Sequence, residues 1–143
     1  MSKIEWEVLQ EKLAALLQYY KELKTLEGIT WEEYSQNYLY KRAVERLIQL
    51  MVEVATDINN MLLKSLGKGP TPDYFSSFVE LAEAGVIPMD FALEIAPSTG
   101  LRNVIVHEYQ KLDDRIVYAS IKKTLTYYFR YLQLITDYVN SLK

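Results

Sequence analysis

The chain has 143 residues, half of them hydrophobic, and a net charge of −3: enough for one domain with a sizeable core, and too acidic to coat nucleic acid by general electrostatics. The absence of cysteine excludes disulfides, thiolate catalysis and cysteine zinc sites. A single histidine leaves a zinc site to be built from carboxylates, and no suitable cluster is evident. A local basic cleft remains compatible with this balance. Lys41, Arg42 and Arg46 form one candidate patch and Lys122, Lys123 and Arg130 another, although each also reads as the solvated face of a helix. The opening Met1 to Glu7 has no signal-peptide core, and no run approaches the roughly 18 apolar residues of a spanning helix. A soluble, cytoplasmic protein without membrane contact is expected.

From Ile4, apolar residues Leu9, Leu13, Leu16, Leu17, Tyr20 and Leu23 recur at helical spacing until Gly28, which predicts an amphipathic helix of about six turns. Thr30-Trp31-Glu32-Glu33 has the form of a capping box and opens a long second helix running to about Leu66, where Gly67 and Gly69 stop it. That helix carries a polar stripe, Arg42, Glu45, Arg46, Gln49, Glu53, Asp57 and Asn60. It reads either as a groove wall, with Arg46 near a phosphate and Glu53 or Asp57 orienting a site cation, or as a water-facing side tied by pairs such as Arg42 with Glu45.

Thr71-Pro72 predicts a helix start, threonine as cap and proline at the first position, for a short helix from Asp73 to Ala84. Gly85 ends it, and a further segment follows from Met89 to Ile95. Pro97 breaks the chain, and Ser98 or Thr99 caps a restarted helix with Arg102 in its first turn and His107 near its end. Lys111 to Asp114 is a turn with an aspartate cap into a last helix bearing Ile116, Val117, Ile121, Leu125, Tyr128, Phe129, Leu132, Ile135 and Val139. Aromatic residues at helical spacing point to core or interface, so most of the twelve tyrosines read as packing and not as a stacking platform for bases. The result is an all-α antiparallel bundle of about five helices, without internal repeats, phosphate loops or a nucleophile elbow.

Chemistry therefore concentrates in Leu101 to Tyr109, which holds the only histidine beside Arg102, Asn103 and Tyr109. On a continuous helix Arg102 and Tyr109 fall within about 20° of each other, whereas Arg102 and His107 point about 140° apart. One helix does not clamp a small group between those two side chains; a second copy packed across a two-fold axis can. Histidine serves as general acid or base near neutral pH, and the planar arginine fork holds two phosphate oxygens. The competing structural reading has His107 on a backbone carbonyl and Arg102 paired with Glu108 or Glu94.

Arg102, four residues, His107, one residue, Tyr109 resembles the signature of the HEPN superfamily, in its HepT-like toxin branch. Arg42-Ala43-Val44-Glu45-Arg46 followed by Asp57-Ile58-Asn59-Asn60, then Pro72 to Phe75 and Leu81 to Ile87, resemble that family's second and third helices in order and spacing. The chain departs at Asn59-Asn60-Met61, where relatives often carry an asparagine and histidine pair. The resemblance implies that residues 1–143 form one dimeric HEPN domain. It implies the toxin of a type VII toxin–antitoxin pair: a metal-independent endoribonuclease, needing no cofactor, in which Arg102 and His107 of both subunits of a homodimer cut RNA through attack of its own 2′-hydroxyl. Asn103 and Tyr109 then support the substrate, and a nucleotidyltransferase antitoxin neutralises the toxin by transferring AMP to Tyr109. The alternative is a non-catalytic helical module that binds nucleotide or RNA for such a nucleotidyltransferase.

Overall fold

A computed structural model describes residues 4–143; the opening Met1-Ser2-Lys3 lies outside them. The described residues form seven α-helices and one 3₁₀ turn: α1 (Trp6–Lys24), α2 (Trp31–Gln36), α3 (Tyr38–Ser65), α4 (Tyr74–Glu83), α5 (Met89–Ile95), α6 (Ser98–His107), the 3₁₀ turn Tyr109–Lys111, and α7 (Asp114–Ser141). The architecture is all-α as expected, but the estimate of about five helices is too low. One reason is Asn37. It adopts an extended conformation (φ −124°, ψ 103°) and accepts the Leu39 amide on its side chain, so the long helix expected from Thr30 splits into α2 and α3.

Leu9, Leu16 and Leu23, seven apart on α1, are fully buried and lie on one stripe. That stripe packs on α3 and α7. Lys12 pairs with Asp57 near the start of α1 and the end of α3, while Lys143 at the end of α7 lies over Trp6. Both long helices thus run antiparallel to α1, and parallel to each other. Between them sit Ile48, Met51, Val52 and Ile58 from α3 and Val117, Ile121, Tyr128 and Ile135 from α7.

Three tyrosines, Tyr34, Tyr128 and Tyr131, are fully buried in the core. The Tyr131 hydroxyl donates to Asn59 Oδ1 at 2.6 Å and lies 3.0 Å from the Ala55 carbonyl, while Asn59 Nδ2 donates to Ser77 Oγ at 3.0 Å. This closed network ties α3, α4 and α7 together.

Helix ends follow local chemistry. Thr30 and Glu33 form the reciprocal capping box read from the sequence. Gly67 and Gly85, at φ 74° and 84°, take the left-handed position after α3 and α4. There the amides of Lys68 and Val86 bond back to the carbonyls of Leu63 and Leu81, closing each helix in a Schellman turn. Two expected caps are displaced. Asp73, not Thr71, caps α4 by accepting the Ser76 amide at 2.7 Å, and Thr71 instead donates to Asn60 Oδ1. Ser98 and Thr99 do not cap α6 either; their hydroxyls bond back to the carbonyls of Ile95 and Ala96, across the Pro97 junction.

Candidate active site

Helix α6 runs antiparallel to α3 and buries Thr99 and Ile105 against the bundle, while Val104 is half-buried and Val106 exposed. Of the apolar wedge read from Val104 to Val106, one residue is thus the true anchor. Around it Arg102 turns inward to α3, and His107, the last residue of the helix, is exposed to solvent.

The Arg102 guanidinium is fixed on three sides. Nε and Nη2 both donate to Glu53 Oε2, at 2.9 and 2.7 Å, Nη1 donates to Asn103 Oδ1 at 3.2 Å, and the group lies 4.4 Å over the Tyr74 ring. Gln49 Nε2 donates to the same Glu53 oxygen at 3.2 Å and steadies the carboxylate. With side-chain exposures of 13% and 27%, the Arg102–Glu53 pair is shielded enough to be geometrically defined. Three of the five guanidinium N–H groups are engaged in this way, which leaves two for a ligand. The structural pairing of Arg102 with Glu108 or Glu94 does not form: Glu108 binds Lys111.

Tyr109 needs a correction. On a continuous helix it would share the Arg102 face, but α6 ends at His107 and Glu108 (φ −137°, ψ 43°) turns the chain out of the helical path. Tyr109 enters the 3₁₀ turn and its hydroxyl donates to Glu45 Oε1 at 2.5 Å. Arg42 Nη1 donates to the same carboxylate, and its guanidinium lies 5.6 Å from the Tyr109 ring. Glu45 and Glu53 are eight residues apart on α3, roughly 12 Å along its axis. Arg102 and Tyr109 therefore occupy two stations of one helix face. Glu45 is nearly closed off, with 5% of its side chain exposed. Partial desolvation of the phenol and the adjacent Glu45 carboxylate push the Tyr109 pKa above the ordinary tyrosine value, with Arg42 opposing. Burial, reinforced by Glu45 and Asp114, raises Tyr34 beneath them as well.

The polar stripe of α3 thus resolves into specific partners. Arg42 pairs with Glu45 as read, Asp57 with Lys12 and Lys41 with Asp114. Asp57 holds Lys12, whereas Glu53 orients the guanidinium of Arg102. Arg46, Lys122, Lys123 and Arg130 are exposed. Among the described residues no three of His, Asp and Glu are grouped to hold a metal ion, and no helix is long and apolar enough to cross a membrane. A groove of about 730 Å³ between α1 and α7, lined by Leu13, Leu17, Phe129 and Arg130 among others, touches none of Arg102, His107 and Tyr109.

Two residues that matter here, Glu45 and Glu53, are visible in the sequence only as part of a polar stripe. Their spacing with Gln49, four and four, was the signal that they share one face. Tyr74 carried no signal, since its contact with Arg102 is a product of tertiary packing.

The fold is that of HEPN toxins. The tri-AMPylated Shewanella oneidensis HEPN toxin in complex with its MNT antitoxin superposes with a TM-score of 0.82 at 23% identity, over 96% of this chain and 99% of that one. A crystal structure of a toxin–antitoxin with AMP-PNP also superposes with a TM-score of 0.82, at 22% identity, over 92% of this chain and 98% of that one. The sequence places the chain more narrowly: it belongs to the ribonuclease HepT-like family, whose model matches residues 16–135. The tRNA nuclease HepT of Aphanizomenon flos-aquae is 34% identical over the whole of this chain and 97% of its own length.

Proposed function

We propose that this chain is the toxin of a toxin–antitoxin pair and a metal-independent endoribonuclease, acting as a homodimer and silenced when a nucleotidyltransferase antitoxin transfers AMP to Tyr109. The observation that carries the reading is the state of Arg102: a guanidinium clamped by Glu53, Asn103 and Tyr74 with two N–H groups left over, on the same short helix as an exposed His107. Membership of the HepT-like family, and the nuclease name of the 34% identical relative, support the same conclusion.

The chemistry follows from the residue types. A 2′-hydroxyl of RNA attacks the adjacent phosphorus and the bond to the 5′-oxygen breaks, leaving a 2′,3′-cyclic phosphate and a 5′-hydroxyl. One imidazole removes the proton from the attacking oxygen and a second delivers one to the leaving oxygen. Because each chain has one histidine, the division of labour calls for His107 from two subunits. The remaining Arg102 donors meet the phosphate oxygens as charge builds on them, a contribution on the order of 3 kcal/mol. Asn103 holds Arg102 in the orientation the reaction uses.

Exposed apolar side chains surround this end of the molecule: Leu39 at 63% and Ile116 at 59% flank the Lys41–Asp114 pair, and Val106 precedes His107. A two-fold partner covering them brings the second α6 alongside the first. AMP on Tyr109, two residues beyond His107, sets a bulky anion at the mouth of that cleft and draws on Arg42.

The deciding experiment incubates purified protein in excess chelator with transfer RNA and with messenger RNA, and sizes and end-groups the products. Cleavage to 2′,3′-cyclic phosphate ends by the wild type, and its loss in His107→Ala and Arg102→Ala variants that remain dimeric, is the expected result. RNA left intact by the wild type would overturn the assignment, and binding without cleavage would identify a nucleotide- or RNA-binding module in its place.

A further inference from the structure

The Tyr109 station contains one group that RNA cleavage does not employ. Glu45 is an acid in the body of α3 whose side chain is almost wholly buried, and its hydrogen-bond partners are Arg42 and the Tyr109 hydroxyl. Burying a carboxylate this far is costly unless its partners repay it, and Arg42 is itself more than half exposed. A scaffold role alone is met more cheaply by a neutral glutamine, which also accepts from a phenol.

We infer that Glu45 is the proton acceptor that makes the Tyr109 hydroxyl a nucleophile toward the α-phosphorus of a nucleoside triphosphate delivered by a nucleotidyltransferase. The inference rests on Tyr109 as the acceptor of AMP, proposed above. The phenol in this setting titrates above its ordinary value, because partial burial and the neighbouring carboxylate disfavour the phenolate. It therefore enters the reaction protonated, and its proton has to leave as the new bond forms.

The step balances on the residues present. A lone pair on Tyr109 Oη attacks the α-phosphorus, the Oη–P bond forms, and the bond from the α-phosphorus to the bridging oxygen breaks. Pyrophosphate departs with that electron pair, and the phenolic proton passes to Glu45 Oε1, which already accepts its hydrogen bond. Tyr109 as a whole is 43% exposed, which puts the residue within reach of a docked enzyme while its hydroxyl is braced on the Glu45 carboxylate. A now-neutral Glu45 no longer competes for Arg42, whose exposed guanidinium beside the ring is free to pair with the new phosphodiester. The same shift leaves Oη without a hydrogen to return to Glu45, so the modified tyrosine does not fall back into its original station.

The test mixes the full-length chain with its nucleotidyltransferase, magnesium and ATP, and follows mass gain at Tyr109 by peptide mass spectrometry. Glu45→Gln, which keeps size and a hydrogen-bonding oxygen, is expected to lower kcat for AMP incorporation on the order of 100-fold, with a smaller change in KM for the acceptor protein. Incorporating 3,5-difluorotyrosine at position 109, a more acidic phenol, is expected to restore much of the lost rate in that variant; a purely structural role for Glu45 predicts no rescue. Should Glu45→Gln fold poorly by circular dichroism, Glu45→Asp supplies the second arm, since it retains a base and is expected to hold a rate above that of Glu45→Gln. Equal rates for wild type and Glu45→Gln would overturn the role of Glu45 while leaving Tyr109 as acceptor. A wild-type Tyr109 that never gains mass would remove the acceptor assignment and this inference together, whereas RNA cleavage would be untouched by that result.

Discussion

Two stretches of α3, residues 45–53 and the region of Asn59 beyond them, are both polar where they meet other helices, and they use that polarity differently. Toward its end, Asn59 is fully buried and both ends of its amide are occupied, by Tyr131 on one side and Ser77 on the other. Nearer its start, Glu53 and Glu45 meet an arginine and a tyrosine that keep part of their surface or some of their donors open. A buried network in which every donor and acceptor is matched adds rigidity and specifies how helices pack. A network that positions a cation yet leaves N–H groups unspent has the form of a site. The contrast separates scaffold from function on a single helix, and substitutions on the two stretches are expected to dissociate stability from activity.

The largest effect is expected at Arg102→Lys. Lysine keeps the charge but cannot engage Glu53 through two nitrogens, stack flat on Tyr74 and still present a fork to phosphate. RNA cleavage is expected to fall about 100-fold, equivalent to roughly 2.7 kcal/mol, with little change in melting temperature. A variant that cuts RNA at the wild-type rate would show that the open donors are incidental. On the other stretch, Asn59→Ala is expected to destabilise the fold by about 2 kcal/mol, lowering the melting temperature by roughly 8 °C. The cost is limited because Tyr131 keeps the Ala55 carbonyl and Ser77 keeps that of Tyr74. Cleavage measured well below the transition should be unaltered; loss of activity without loss of stability would erase the distinction between the two stretches.

How far this could be read from the chain depends on the range of the interaction involved. Helix positions were legible because burial of one face imposes a 3.6-residue rhythm, as in Leu9, Leu16 and Leu23. Local stops such as Gly67 and Gly85 were legible for a similar reason: a left-handed residue favours glycine. The break at Asn37 was not, since no glycine or proline marks it and asparagine interrupts a helix only when its side chain captures a nearby amide, here that of Leu39. Arg102, His107 and Tyr109 were recognisable as a set, but the turn at Glu108 that sends Tyr109 to Glu45 depends on contacts 64 residues apart. The clamp on Arg102 spans 49 residues and was invisible as a pairing, even though Glu53 was already on the polar stripe.

Glu53→Gln sharpens the comparison from the other side. The glutamine carbonyl oxygen can still accept from Arg102, so the guanidinium stays near its place, but the ionic hold is lost. A fall of about tenfold in cleavage, near 1.4 kcal/mol, is expected, carried by kcat more than by KM because aim and not affinity is disturbed. An increase in activity would mean that Glu53 restrains Arg102 by neutralising it, and the clamp would then be inhibitory. The two outcomes have opposite signs, so a single kinetic comparison decides between them.

The smallest effect concerns a cap on the scaffold side, where only stability should respond. Asp73 accepts the Ser76 amide at the start of α4, and that hydrogen bond holds its carboxyl below the ordinary value of 3.8. A group whose pKa is depressed by folding stabilises the native state above its unfolded value and loses that contribution as pH falls through the folded one. Wild type should therefore melt slightly above Asp73→Ala at neutral pH, with the gap narrowing as the pH is taken below about 3.8. RNA cleavage at neutral pH should be the same for both proteins. A melting gap that persists unchanged into acid would show that the cap works through its shape and not its charge, and a change in cleavage would mean that α4, which carries Tyr74, transmits its own stability to the Arg102 clamp.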